Sequence, residues 1–425
     1  MYFSDHEKKS FSQKRKKIIS LLYMMKKREG TFFSSLPKPI INAIFRLTET
    51  WEISTKGRMT YFCKDGHCYT TGEEKPVEVF LPEHERIVKV FPAQSSTIFY
   101  LGSSGNFYVS GNNSCGELGL GPLADTFQAF PILFTLPNKK QIKKFSLGCQ
   151  LTFVQDVDGN WFGCGNNING QLGTGNCGLR YKYNELVPIS LPNKHSINKI
   201  VASRDHVFMR DDQGRWYGCG YSLNGQLVQY TMCLSVNGPS PIQLPNNKPI
   251  KTITVSKSST YIQDNEGNWY GCGNNYFNQL GFSNKSIISN NHDTPTLITL
   301  PNDMAIKNII ARSNHAFIQD VNNNWYGVGS NYNGQLGINK TCSRVDTPTP
   351  IQFPNNIIIK KIVAGDNHTF VLGMDNLWYC TGGINVGVHS TQLKNNFIPR
   401  KNFFSLIDFS ALENMALLSR PQFKF

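Results

Sequence analysis

At 425 residues and 40% hydrophobic, the chain is long enough to bury a large core, and a repeat array can use that whole length as one domain. The net charge of +14 is uneven: residues 1–30 carry nine Lys/Arg against three acids, or +6, leaving +8 for the other 395 residues, too dilute for a nucleic-acid stripe. No stretch reaches the roughly eighteen consecutive apolar residues of a membrane span.

Residues 1–30 read as a basic, flexible segment. The run Lys14-Arg15-Lys16-Lys17 suits a nuclear import signal, a membrane-surface flank or a solvated charge run. The apolar residues 18–25 behind it form a turn or two of helix. Lys26-Lys27-Arg28 follows directly, where a secretory leader would have a small-residue cleavage site.

Residues 31–51 read as a helical extension. Ser35 can cap a helix, Pro37 suits its first turn, and Ile40, Ile41, Ile44, Phe45 and Leu47 make an apolar stripe. The stretch resembles the opening of an F-box over about 15 residues. That resemblance implies docking of Leu36, Pro37, Ile40, Ile44 and Phe45 on the Skp adaptor of a cullin-type ubiquitin ligase. A helix packed on the main domain through the same stripe fits equally well.

From residue 52 to residue 420 one phrase recurs. It reads D-G-N-W-F-G-C-G-N-N-I-N-G-Q-L-G at residues 158–173 and returns, varied, at 213–227, 266–281 and 322–337. Aligned on Gly111, Gly165, Gly220, Gly273, Gly329 and Gly382, the intervals are 54, 55, 53, 56 and 53 residues, and a shorter member ends at Gly72. Each unit holds alternating apolar runs of four to six residues between turn residues, the pattern of short strands. Four strands per unit, repeated seven times, predict an all-β, seven-bladed propeller. Within a unit, the glycines are expected to let neighbouring sheets approach near the axis. Trp161, Trp216, Trp269, Trp325 and Trp378 are expected to fill the space between blades. Residues 407–418 match the first half of a unit and residues 59–72 the second, so the expected closure is one blade sealed by N- and C-terminal strands. Residues 421–425 are left as a tail.

The cysteines are eleven, an odd number. Cys164, Cys219 and Cys272 share a place where Ser110, Val328 and Thr381 also stand, so they read as small packing residues and reduced thiols. Cys63, His67 and Cys68 could make half a zinc site, but no second ligand pair answers them. No metal, cofactor or catalytic constellation emerges. His206, His315 and His368 occupy equivalent turns without a repeated nucleophile or carboxylate, which favours a structural role.

The Ala-Gly-x-x-His turn at residues 364–368, the Asp-Gly-x-Trp-Tyr strand and Gly-x-Gly-x-Asn-x-x-Gly-Gln-Leu-Gly resemble the regulator of chromosome condensation repeat family over nearly 370 residues. The turn departs from this pattern at residues 148–151 and 257–260. The resemblance implies a propeller that binds protein partners, first among them a Ran-type small GTPase, with guanine nucleotide exchange as the activity. It implies GTPase contacts at Arg204, Asp205, His206, His315, Asp366 and His368, Asp205 foremost, and a wedge-like excursion at Arg180, Tyr181, Lys182 and Tyr183. The alternatives are a ubiquitin-ligase substrate receptor, through the F-box-like stretch, and a chromatin-binding or scaffold protein, through the basic N-terminus. The expected location is intracellular, in cytoplasm or nucleus. The Asn, Ile and Lys richness suits an AT-rich genome, and with it a protein acting inside a host cell.

Overall fold

The computed structural model describes residues 51–56, 59–71, 76–93, 95–175, 182–228, 234–282, 290–339, 342–383 and 401–407. The chain divides after Glu52, and the account below concerns the unit that follows. The helical extension expected at 31–51, with its adaptor-docking candidates, lies outside the described residues.

Seven antiparallel sheets of four strands each, in sequence order, make the ring. Blade 1 is β1 (Glu52–Lys56), β2 (Met59–Lys64), β3 (His67–Thr71) and β4 (Pro76–Val79). Blade 2 is β5 (Ile87–Pro92), β6 (Ile98–Gly102), β7 (Phe107–Asn112) and β8 (Phe127–Phe134). Blade 3 is β9 (Ile142–Leu147), β10 (Leu151–Asp156), β11 (Trp161–Asn166) and β12 (Lys182–Ile189). Blade 4 is β13 (Ile197–Ala202), β14 (His206–Asp211), β15 (Trp216–Tyr221) and β16 (Ser235–Pro241). Blade 5 is β17 (Ile250–Val255), β18 (Ser259–Asp264), β19 (Trp269–Asn274) and β20 (Asn291–Leu297). Blade 6 is β21 (Ile306–Arg312), β22 (His315–Asp320), β23 (Trp325–Ser330) and β24 (Arg344–Pro350). Blade 7 is β25 (Ile359–Ala364), β26 (His368–Gly373), β27 (Trp378–Gly382) and β28 (Lys401–Leu406). The first strand of each blade lies innermost: β9, β13, β17, β21 and β25 meet their counterparts in neighbouring blades around the axis.

The core lies between blades, not within them. One apolar cluster joins Phe153, Trp161 and Leu172 of blade 3 to Ile200, Val207 and Met209 of blade 4. Equivalent clusters join each successive pair from blades 1 and 2 to blades 6 and 7. Burying a large apolar side chain contributes about 1.5–3 kcal/mol, so an isolated blade would forfeit most of its stabilisation. The tryptophans act as expected: Trp161 Nε1 donates to Ile197 O at 2.9 Å, and Trp216 Nε1 to Ile250 O at 3.2 Å, each across a blade boundary. The Gln-Leu segment supplies a second seam. Gln226 O accepts from Thr260 Oγ1 (2.7 Å) and Gln335 O from Thr369 Oγ1 (2.8 Å), in each case from the next blade.

Among the described residues blade 1 is built from β1 to β4, and its inner strand is β1, from the stretch just before the first recognised half-unit. Alternation explains it, since Ile53 and Thr55 are buried and Ser54 between them is less so. Residues 408–420, the expected sealing strand, lie outside the described residues. Blades 7 and 1 meet through an edge-to-face pair, Phe62 and Phe370, 5.8 Å between centroids. His368 Nε2 lies 2.8 Å from Thr55 Oγ1 and 3.2 Å from Thr60 Oγ1 at the same boundary.

Candidate functional site

One face of the ring collects two kinds of loop: the turn from each inner strand to the second strand, and the exit of the third strand into the Gly/Asn segment. They are tied together within each blade. Tyr221 N donates to Asp205 O at 2.7 Å, Asn166 N to Gln150 O at 2.8 Å, and Ser330 N to Asn314 O at 2.8 Å. The glycine before each of these exits is required locally. Gly220 has φ +104°, and a Cβ on it would stand 2.3 Å from Asp205 O. These glycines, expected to let neighbouring sheets approach, meet first the turn of their own blade; the preceding blade comes next, with Gln171 Cβ 3.1 Å from a Cβ on Gly220.

The three histidines are buried in this seam. His206, His315 and His368 are all under 7% exposed. His206 Nε2 lies 3.2 Å from Thr260 Oγ1 in the next blade, as His368 does from Thr55 across the closing boundary. Burial holds His206 and His315 at a pKa of about 3 and His368 at about 4. All three are neutral and buried; His206 and His368 link blades, whereas neither ring nitrogen of His315 has a hydrogen-bond partner among the described residues.

The other candidates do reach solvent. Arg204 and Asp205 pair at 3.5 Å (Nε–Oδ2) with side chains 46% and 27% exposed. Burial raises the Asp205 pKa, with Arg204 and Lys257 opposing it. Asp366 is half-buried on the equivalent turn of blade 7, next to the blade whose Arg312 Nε donates to Ala364 O at 3.0 Å. Cys149, on the turn of blade 3, has its thiol pushed up by burial, with Arg204 opposing and Asp205, Glu117 and Asp366 adding to the rise.

Sequence reasoning missed a second feature of this face. Ile168, Leu223, Tyr276 and Tyr332 hold the same place in blades 3 to 6 and are 53–61% exposed. Each follows a buried Asn or Ser (Asn167, Ser222, Asn275, Asn331) whose packing fixes the loop. Nothing in the blade needs an apolar side chain there, and Ser114 stands there in blade 2. The signal lies in the phrase itself, at one of its variable positions.

The wedge expectation holds less well. Arg180 and Tyr181 lie outside the described residues. Lys182 and Tyr183 begin the outer strand β12; Tyr183 is 5% exposed within the core between blades 3 and 4, with its hydroxyl 3.1 Å from Thr174 Oγ1. The cysteine reading also needs one correction. Cys63 and Cys68, paired across the β2–β3 hairpin, form a disulfide, which uses both sulfurs of the half zinc site. Cys164 and Cys219 behave as expected, buried with their thiols pushed up by burial, Cys219 to about 12. Among the described residues, His195, Asp211 and Asp212 are close enough to share a cation, but Asp211 is already engaged by Arg215 (2.8 Å) and Tyr217 (3.2 Å) in closing its turn.

Comparison with known proteins places these features in context. The family model for the Regulator of chromosome condensation (RCC1) repeat matches residues 158–209 and 323–372. The chain is 26% identical to the Ultraviolet-B receptor UVR8 of Arabidopsis thaliana over 55% of this chain and 51% of the relative. It is 25% identical to Guanine nucleotide exchange factor SRM1 of Saccharomyces cerevisiae over 65% of this chain and 64% of the relative. It is 24% identical to Regulator of chromosome condensation of Xenopus laevis over 77% and 78%. The chain thus spans between half and two thirds of the length of the first two. Among solved structures, Prp20p of Saccharomyces cerevisiae, described with its binding to Gsp1p and histones, matches with TM-score 0.64 at 18% identity, over 85% of this chain and 87% of that one. Human WBSCR16 matches with TM-score 0.63 at 15% identity, over 79% and 85%. No helix among the described residues is long and apolar enough to cross a membrane.

Proposed function

We propose that this chain, which belongs to the regulator of chromosome condensation repeat family, is a docking propeller that grips a Ran-type small GTPase on the face built above and releases its nucleotide. The observation that carries the reading is the pairing, on one face, of the solvent-facing Arg204–Asp205 turn with the exposed apolar arc of Ile168, Leu223, Tyr276 and Tyr332. An apolar surface rimmed by polar groups is the anatomy of a protein-binding site. The likeness to Guanine nucleotide exchange factor SRM1 supports the choice of partner.

Exchange needs no bond-making residue. The propeller holds the nucleotide-free GTPase better than the loaded form, and by linkage the nucleotide then leaves faster. The rigid blades keep the face in one shape, so the difference in affinity is realised on the GTPase side. The test is release of a fluorescent guanosine diphosphate from a Ran-type GTPase. The chain should accelerate release, and Asp205→Ala with Tyr276→Ser should lower that acceleration at least about tenfold, equivalent to about 1.4 kcal/mol. Unchanged release with the intact chain contradicts the proposal.

A further inference from the structure

The opposite face carries a feature that the docking reading does not use. There the inner strands begin, and in blades 2 to 7 the two residues after the initial isoleucine are exposed, Thr252 of blade 5 only partly. The third position of the strand is Lys89, Lys144, Lys199 and Lys361 in blades 2, 3, 4 and 7. Register confirms the equivalence: each follows the same bulge and faces the second strand at Leu101, Gln155, Arg210 and Leu372 in turn. The second position adds Lys143, Lys251, Lys307 and Lys360. Eight lysines scattered from residue 89 to residue 361 are therefore drawn to one face of the ring, at the starts of the inner strands. None of the eight is in an ion pair among the described residues.

Lys307 and Lys360 donate to Asn323 Oδ1 (2.7 Å) and Asn376 Oδ1 (3.1 Å) in the turns of their own blades, whereas Lys144 and Lys199 are held between blades. Lys144 Nζ sits 5.3 Å from the centre of the Trp161 ring and donates to Asn198 O of the next inner strand at 2.7 Å. Lys199 Nζ sits 5.8 Å from the Trp216 ring and donates to Thr252 Oγ1 of the next inner strand at 3.3 Å. Lys199 also lines a cavity of about 370 Å³ in the channel, together with Ser146, Ser203, Thr254 and, from blade 6, Arg312. Burial lowers the pKa of Lys199, and the neighbouring cations Arg210 and Lys144 lower it further. Crowded cations with low-dielectric walls focus a positive field on the opening.

We propose that this lysine collar is a binding site for a compact polyphosphate anion, held axially at the channel mouth by Lys144 and Lys199, with Lys89 from the adjacent blade 2 and Lys361 from blade 7 farther round the ring. The concave, axial placement selects a small multivalent anion over a nucleic-acid duplex, whose phosphates need an open stripe. The lysines stand at the opposite end of the inner strands from the Arg204–Asp205 turn, and the channel cavity runs between the two ends.

The experiment is calorimetric titration of inorganic tripolyphosphate into the full chain at about 0.1 M salt, where exposed charges are screened beyond about 10 Å. One saturable site per chain is expected. Lys144→Gln with Lys199→Gln should weaken it at least about tenfold, because charge-assisted contacts are lost. Lys139→Gln with Lys194→Gln, on connections outside the collar, should leave it intact. If the first pair melts early, Lys89→Gln with Lys361→Gln replaces it with the same expected loss. Absence of saturable binding, equal weakening in the outer pair, or tighter binding of a short DNA duplex than of tripolyphosphate would overturn the proposal.

Discussion

His206, His315 and His368 are neutral in the folded chain because burial resists their protonation, and the unfolded chain protonates them near pH 6.5. Below that pH the unfolded state binds more protons, so stability falls as pH drops from about 6.5 toward 4 and is level above about 7. Each such imidazole contributes a slope of about 1.4 kcal/mol per pH unit inside the window. The carboxylates act lower down. Burial raises the pKa of Asp156 and Asp264, but hydrogen bonds from Asn160 and Asn268 outweigh it and leave both below the ordinary value. The stability they add is present above about pH 4 and is lost below it. Urea midpoints at pH 7.5, 6 and 5 should decline over the last two steps, and equal midpoints would show that the histidines are not buried as described. Glycine provides a second check at this scale. A Cβ on Gly225 would meet Asp293 Cα of the next blade at 2.3 Å with φ at +76°, whereas one on Gly105, at φ +88°, would meet nothing within 4 Å. Gly225→Ala should cost about 2–4 kcal/mol and Gly105→Ala about 1–2 kcal/mol, compared by the same denaturation. Costs in the reverse order would refute the interblade contact.

At the scale of elements, the strands were legible because apolar alternation and turn residues repeat together, and a period near 54 residues recurs five times. The inner strand of blade 1 was not, because Glu52–Lys56 stands next to a stretch with helical patterning and no companion phrase marks it. The outer strands show how the open edge of each blade is managed. β12, β16, β20 and β24 carry Pro188, Pro239 and Pro241, Pro295, and Pro348 and Pro350. A proline cannot donate to an added strand, so these edges resist pairing with another chain. Among the described residues the closing boundary is marked by His368 between Thr55 and Thr60 and by the Phe62–Phe370 pair. Replacing both threonines with valine leaves a buried imidazole nitrogen without these partners, at a cost of about 1–3 kcal/mol. Because the ring opens there, unfolding should remain a single transition with a lowered midpoint. Two separated transitions would mean that blades 7 and 1 do not close the ring.

On the scale of the molecule, the two faces divide the work. What the repeated phrase could reveal was scaffold: Trp161, Gly165 and Gln171 hold the blade and its neighbour, as their burial bears out. What it hid was exposure. Ile168 lies inside that phrase and yet points to solvent, because the buried Asn167 before it fixes the loop and leaves the next side chain outside. The lysine collar was hidden for a different reason. A charge excess that looks dilute along 395 residues becomes concentrated when register places equivalent positions around one axis. Of the residues to which partner contacts were attributed, the three histidines are buried, whereas Arg204, Asp205 and Asp366 reach solvent.

The most direct test of the docking account is the affinity of the full chain for a Ran-type GTPase in its nucleotide-free and diphosphate-loaded forms, measured side by side. The account predicts that the nucleotide-free form binds at least about a hundredfold tighter, close to 2.7 kcal/mol, and that Asp205→Ala with Tyr276→Ser removes most of the difference while Lys144→Gln with Lys199→Gln leaves it intact. Equal affinity for the two forms, or a difference that survives the loss of Asp205 and Tyr276 but not of the lysines, would contradict it.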